Sequence, residues 1–371
     1  MEYKKLRVIV CGTTFGQFYC EAFALLKNQF EFVGILSNGS ERSRKCAEQY
    51  NVRLFHSVEE LDDKIDLACV VVRSAVMGGK GSDIAVDLLN RGIHVIQEQP
   101  VHYREIELCI KVAMKNNVRY CIADLYKNLP AISRFIKACK AIFEKDNPIY
   151  IDAGGASQVL FPLIEILSES LENIKPFCVK NVDRTSGPFH ILTANIRDIP
   201  AIFQIHNEVN PNEPDNFMHY LHRITIGTNS GRICLEDTQG PVCWYNKLHF
   251  PLNVDVKKCF DGEWPNDLRR LNRIEFIQCK ENMFGEIFKT DWLQAISEEL
   301  VLFKKMILEP SGKVNVYYTK LISNAKIWHE FTKYLGFPEE IELGENTYID
   351  INEIKERIEK SNMFIERRKD G

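Results

Sequence analysis

A chain of 371 residues, 45% hydrophobic and 26% charged, can bury two cores, so two domains are expected and a disordered chain is excluded. The net charge of −4, with a basic run only at Arg367-Arg368-Lys369, excludes a nucleic-acid-binding surface. Twelve cysteines without a C-x-x-C pair, and histidines not spaced with them, exclude a disulfide framework and a metal site; Met1-Glu2-Tyr3-Lys4-Lys5 leads toward a strand rather than a signal peptide, and no uncharged stretch spans a bilayer, so a cytoplasmic chain outside any membrane is expected.

The first strand is predicted over 6–11, where an apolar run breaks at Gly12 and restarts as a helix after Gly16. This reads as a dinucleotide-binding turn. Gly12 permits the tight turn, Gly16 lets the helix start pack closely, and the free N–H groups across Gly12, Thr13, Thr14, Phe15 and Gly16 face a pyrophosphate. The loop departs from G-x-G-x-x-G: it is one residue short, and Thr14 stands where the middle glycine belongs.

A second strand, 30–36, ends about 20 residues past the glycine turn, at the position that reads the adenosine ribose. In place of the Asp or Glu of an NAD enzyme stand Ser37-Asn38-Gly39-Ser40-Glu41-Arg42-Ser43-Arg44. Hydroxyls, N–H donors and guanidinium groups suit a 2′-phosphate, so Ser37, Asn38, Gly39, Ser40, Arg42 and Ser43 are assigned to NADPH in preference to NADH. Glu41 must then point away.

Strands over 67–72, 94–97 and 119–123, with helices over 81–91 and 103–116, complete the alternation of a parallel sheet covered by helices. Arg73 and Ser74, followed by glycines at 78, 79 and 81, are expected to line the nucleotide, by direct contact or as a glycine loop above it. Beyond 125 the pattern changes to a helix over 130–143, a strand over 149–153, a helix over 160–171, and antiparallel strands over 222–227, 232–235 and 241–245 with a turn at 228–231. Helices over 292–308 and 314–334 follow. The expected fold is α/β: an N-terminal Rossmann dinucleotide-binding domain (1–124) and an α+β substrate-binding and dimerisation domain (125–371) with a large, mostly antiparallel sheet. Trp244, Tyr245 and Trp264 either wall a planar heteroaryl substrate or pack the core.

Ligands of open parallel sheets sit beyond the carboxyl ends of the strands, and the run from Gln97 through Glu98-Gln99-Pro100 to His102 leaves such an end. Here the chain resembles the Gfo/Idh/MocA oxidoreductases, which carry Glu-Lys-Pro beside the nicotinamide. In the sugar dehydrogenases of that family the lysine assists proton transfer from a substrate hydroxyl, and Gln99 in its place argues against alcohol oxidation. The runs 11–19, 72–81, 92–102 and 158–163 are similar to a narrower branch, the thiazolinyl imine reductases of siderophore biosynthesis. That resemblance implies NADPH-dependent reduction of a thiazoline to a thiazolidine on an intermediate tethered to a carrier protein of a non-ribosomal peptide synthetase. It also implies a homodimer paired through the second sheet. Glu98, Gln99 and Pro100 become cofactor neighbours, with Glu98 bonding near the nicotinamide or stabilising a developing cation.

Reducing an imine needs hydride at carbon and a proton at nitrogen. His102, an imidazole with an ordinary pKa of about 6.5, and Tyr126, a phenol that must be perturbed to serve, are the candidate donors, and the matching positions are the ones suspected in the resembling branch. Solvent is the third source. The plain readings are a helix cap for His102 and a packed aromatic for Tyr126. Two other functions stay open: an NAD(P)-dependent sugar or inositol dehydrogenase, and a catalytically silent NADP(H)-binding sensor.

Overall fold

The computed structural model describes residues 5–62, 64–278, 282–342 and 349–366; the basic run 367–369 lies outside them. In the first third, each apolar run is followed by a segment that returns the chain to the same end of the sheet, so the strands pair in parallel. Strands β1 (Leu6–Cys11), β2 (Phe30–Leu36), β3 (Arg53–Phe55), β4 (Leu67–Val70), β5 (His94–Glu98) and β6 (Tyr120–Ala123) take the order β3-β2-β1-β4-β5-β6. Helices α1 (Gly16–Leu25), α2 (Glu41–Tyr50), α3 (Gly81–Asn90) and α4 (Tyr103–Lys115) accompany them. Every residue of β4 is buried, as a central strand covered on both faces requires. The strand order reverses between β1 and β4, which opens a crevice at their carboxyl ends.

The chain leaves β6 through a single turn, Tyr126–Asn128, into α5 (Pro130–Phe143), whose proline opens the helix where its missing N–H costs nothing. Then come β7 (Pro148–Ala156), α6 (Leu160–Ser170), β8 (Phe177–Arg184), β9 (Phe189–Ile196), β10 (Ile199–His206), β11 (Glu208–Val209), β12 (His222–Thr228), β13 (Gly231–Leu235), β14 (Val242–Asn246), α7 (Val256–Phe260) and β15 (Arg273–Ile277). Eight of these strands form one sheet in the order β15-β14-β13-β12-β7-β10-β9-β8, antiparallel except where β7 meets β10. The sheet is wider than the strands named from the sequence, because β8, β9 and β10 join its far edge. In β9 and β10 buried and open positions alternate: Leu192, Ala194, Ala201 and Phe203 face the core, while Ile191 and Ile202 do not.

Helices α5, α6 and α10 (Ser311–Leu335) cover one face of this sheet. The opposite face carries Tyr150, Ile191 and Ile202, of which Ile202 is 51% exposed. After α8 (Phe284–Ile287) and a π-turn at Phe288–Trp292, α9 (Leu293–Leu308) returns to the first sheet and packs on α1. The short β16 (Glu339–Glu340) pairs with β11, and α11 (Ile351–Glu366) follows. No described helix is long and apolar enough to cross a membrane.

Candidate active site

Gly12 sits at φ 91°, and a Cβ there would stand 2.5 Å from the Val71 carbonyl oxygen, so this turn admits glycine alone. Thr13 is buried behind it. α1 begins at Gly16 with no side chain capping its N-terminus and no acid in its first turn. Its first N–H groups and the positive end of its dipole are therefore available to an anion. The short loop thus has the donor set of a diphosphate site without the middle glycine.

At the neighbouring strand end, Ser40 caps α2 by accepting from the Ser43 N–H at 3.2 Å, and Gly39 takes φ 79° with its N–H on Ser37 Oγ. Arg42 reaches across the crevice and donates to Thr14 Oγ1 at 2.8 Å, which brings a guanidinium to the rim of the glycine turn. Glu41 pairs with Lys45 at 2.7 Å along the exposed face of α2. Asn38 lies beside Ser37 on the same connection. Ser43 is fully buried and its hydroxyl donates to the Ser40 carbonyl, so its side chain shapes the turn from within. Arg44 is likewise engaged, on the Gly39 carbonyl.

The loop after β4 is built rather than loose. Gly79 and Gly81 donate to the Ser74 and Arg73 carbonyls, and a Cβ on either would collide with backbone. Ser74 is buried and donates to the Pro100 carbonyl at 2.6 Å, tying this loop to the one leaving β5. Arg73 turns toward the second domain and pairs with Asp215 at 3.3 Å. Asp215 belongs to the connection between β11 and β12, which Gln158 holds through the Pro214 carbonyl.

Glu98, the last residue of β5, accepts from the hydroxyl of fully buried Tyr19 at 2.6 Å. Burial pushes its carboxyl up to about 8, the Tyr19 hydrogen bond opposing the rise and the charges of Glu299 and Asp124 adding to it. Its carboxyl therefore keeps its proton much closer to neutral pH than a free glutamate does. Gln99 Oε1 is buried and finds no donor among the described residues. His102 caps α4, its Nδ1 accepting from the Arg104 N–H at 3.3 Å, with its ring against Tyr103 and His329. Burial and His329 push its imidazole below the ordinary value. It is a weaker reservoir of imidazolium than the sequence suggests.

Tyr126 opens the turn after β6 and is buried to 8% exposure. Its ring meets His222 edge-on at 4.9 Å and Trp292 at 6.2 Å. Burial and the carboxyls of Glu98, Asp124 and Asp215 push its phenol well up. His222 is held by Thr238 and the Val159 carbonyl, and burial drives it down to about 4, so it stays neutral. Trp292 bridges the two halves of the site, with Phe15 of the glycine turn at 5.9 Å and Tyr126 on its other side. Its Nε1 is buried and unpartnered among the described residues. His102 and Tyr126 leave adjacent strands but belong to different ring clusters.

Several of these residues were invisible to motif reading: Tyr19, Asp124, His222, Trp292 and Glu299. The aromatics named from the sequence lie elsewhere. Trp244 donates to Asn246, Tyr245 stacks under Arg232, and Trp264 meets Phe260 on the connection between β14 and β15. Among the described residues no group of His, Cys, Asp or Glu is arranged for a metal ion.

Segment 6–124 matches the Gfo/Idh/MocA family, an oxidoreductase family with an NAD-binding Rossmann fold, and segment 146–245 matches the C-terminal domain of Irp3-like thiazolinyl imine reductases. No curated protein matches the sequence significantly. Among solved structures, a levoglucosan dehydrogenase in complex with NADH and levoglucosan is 12% identical, with a TM-score of 0.63 over 89% of this chain and 97% of that one. A 3-ketoreductase from Actinomadura kijaniata in complex with NADP is 12% identical, with a TM-score of 0.62 over 91% and 99%. The GenD2 protein of gentamicin A biosynthesis, in complex with NAD, gives 12%, 0.60, 90% and 95%. At this identity the likeness is one of fold.

Proposed function

The chain belongs to the Gfo/Idh/MocA oxidoreductases, and from that we propose that it is an NADPH-dependent thiazolinyl imine reductase of siderophore biosynthesis. Its substrate is a thiazoline on a carrier-protein-bound non-ribosomal peptide intermediate, and its product the thiazolidine. The observation that carries the reading is the match of 146–245 to the C-terminal domain of that enzyme type. Gln99, at the triplet position held by lysine in sugar dehydrogenases, supports it. The unpaired cysteines of the described chain fit a reducing cytoplasm.

The residues present fit the cofactor. The uncapped start of α1 with Gly12, Thr13, Thr14, Phe15 and Gly16 would hold the diphosphate. Arg42, with Ser37, Asn38, Gly39 and Ser40 around it and Ser43 shaping the turn, would hold the 2′-phosphate, and the donor-less Gln99 Oε1 suits a carboxamide N–H. Arg73, Ser74, Glu98 and Pro100 frame the same crevice. When bound, NADPH supplies the hydride.

The chain's own task is the proton. As hydride reaches the imine carbon the nitrogen becomes basic, and the site must meet it with an acid that is still protonated at neutral pH. Tyr126 and His102 are the candidate donors: burial keeps the phenol protonated but makes it the weaker acid, and it holds His102 mostly neutral, so the two and solvent share the role. A positive charge developing near Glu98 would lower the proton affinity of its carboxyl.

The open face of the large sheet, with Ile191, Ile202 and Tyr150, is the surface through which we place a homodimer. Sedimentation at micromolar concentration should report a dimer; a monomer contradicts it. Replacing Arg42 with Ala should weaken NADPH by about ten- to a hundredfold, as losing a charge-assisted phosphate contact does, and leave NADH unchanged. Equal weakening of both cofactors would remove the phosphate assignment. In an NADPH-consumption assay, a thiazoline should be reduced and a panel of sugars left untouched; activity on sugars alone would favour the dehydrogenase, and tight NADPH binding without turnover the sensor. The double variant His102→Ala/Tyr126→Phe should lose roughly 10²- to 10⁴-fold in turnover with NADPH binding retained, and each single variant should lose less, because the other residue or water can deliver the proton. Unchanged turnover and pH profile in the double variant would leave solvent as the donor.

A further inference from the structure

Glu299 lies in the middle of α9 on its buried stripe, flanked by Ala295, Ile296, Leu300 and Phe303. Its Oε1 accepts from the Asp124 N–H at 2.7 Å, and Asp124 Oδ1 accepts from the Tyr126 N–H at 3.1 Å. Both carboxyls are almost fully buried, and their other oxygens, Glu299 Oε2 and Asp124 Oδ2, have no partner among the described residues. An ionised carboxylate so placed leaves an unsatisfied acceptor in low dielectric, a costly state that a proton relieves.

We propose that Glu299 is a positioning residue for Tyr126: by accepting from the Asp124 N–H it fixes the residue whose carboxyl holds the Tyr126 N–H, and so the turn that carries the phenol. The inference rests on Tyr126 acting as a donor in the proposed reduction. The groups facing the pair are Lys127 on the same turn, Glu98 and Tyr19 from the end of β5 and from α1, and Glu165 and Glu169 from α6. The buried thiols of Cys69 and Cys121 stay neutral. Burial opposes the charge of Lys127, but Asp124, Glu299 and Glu165 more than restore it, so one cation balances the group. Burial raises Glu299 to about 7, against Lys127 and the Asp124 N–H, and raises Glu165 to about 6. Once Glu299 loses its proton, its charge is added beside Asp124, and a more negative surrounding tightens the hold of Tyr126 on its own proton. Turnover should therefore fall as pH rises through about 7.

The test compares kcat against pH, with a thiazoline and saturating NADPH, for the wild type and for Glu299→Gln, Glu299→Ala and Glu165→Gln. Glu299→Gln keeps an oxygen for the Asp124 N–H and removes the ionisation; it should stay active at pH 6 and lose the limb near 7. Glu165→Gln removes an equal charge from the cluster without touching the Asp124 bond, and should keep that limb. Glu299→Ala, which removes the hydrogen bond, should lower kcat between about ten- and a hundredfold, with the NADPH dissociation constant, read by fluorescence, within about twofold of wild type. Should Glu299→Ala fail to fold, the glutamine profile decides. A Glu299→Gln profile superimposable on the wild type, or a Glu165→Gln profile displaced as far, overturns the inference while leaving the proposed reaction intact. A wild type inactive on thiazolines overturns both.

Discussion

The hydrogen bond from the Asp124 N–H to Glu299 joins the last strand of the nucleotide sheet to a helix 175 residues further along the chain. Much of the site depends on it. β6 is also held by its pairing with β5 and by the Tyr317 hydroxyl on the Ile122 N–H, but the Asp124 bond is the contact that ties α9 to the residue whose carboxyl holds the Tyr126 N–H. Burial of the same seam raises the carboxyls around this contact. Glu98, Glu165 and Glu299 are all raised, and burial is the largest cause in each. Neutral acids are what a site needs if it must deliver a proton to a nitrogen that becomes basic only during the reaction.

The cofactor side is governed by a different constraint, close backbone approach. Gly12 stands against the Val71 carbonyl, and the loop after β4 folds on itself through Gly79 and Gly81. These contacts leave the start of α1 bare and bring Arg42 to Thr14. The Arg73–Asp215 pair is the matching contact from the second domain, set over the same crevice. The candidate anion site and the candidate proton donors thus lie at carboxyl ends of strands of one parallel sheet, and His222 of the antiparallel sheet packs against Tyr126.

Much of this was legible in the residues. Strands β1 and β2 fall where the apolar runs end at glycine and at Ser37, and α5 begins at the proline that a helix start tolerates. β3 escaped notice because three residues, Arg53, Leu54 and Phe55, make no period. β8 to β10 are half-open strands whose polar positions, exposed Lys180 and half-buried Thr193 and Gln204 among them, dilute the apolar signal until their partners are known. Glu299 was overlooked for a similar reason: beside Glu298 it resembles a solvated helix face. A signal was available, since the spacing of Ala295, Ile296, Glu299, Leu300 and Phe303 sets it on the apolar stripe, as Glu165 is set among the apolar residues of α6. Protonation was not legible at all. His102 looked the better-matched acid on its ordinary pKa, and the packing of His329 against it and the burial that lower its imidazole could be read only from the structure.

The central claim is that hydride passes from the dihydronicotinamide to the carbon of a ring C=N bond. It is tested most directly with NADPH carrying deuterium at the transferable C4 position, the protein, and a thiazoline thioester on a carrier protein, with the released product read by mass spectrometry. The account predicts a thiazolidine bearing one deuterium at the former imine carbon. An unlabelled thiazoline recovered alongside a deuterated sugar alcohol formed from an added keto-sugar would contradict it.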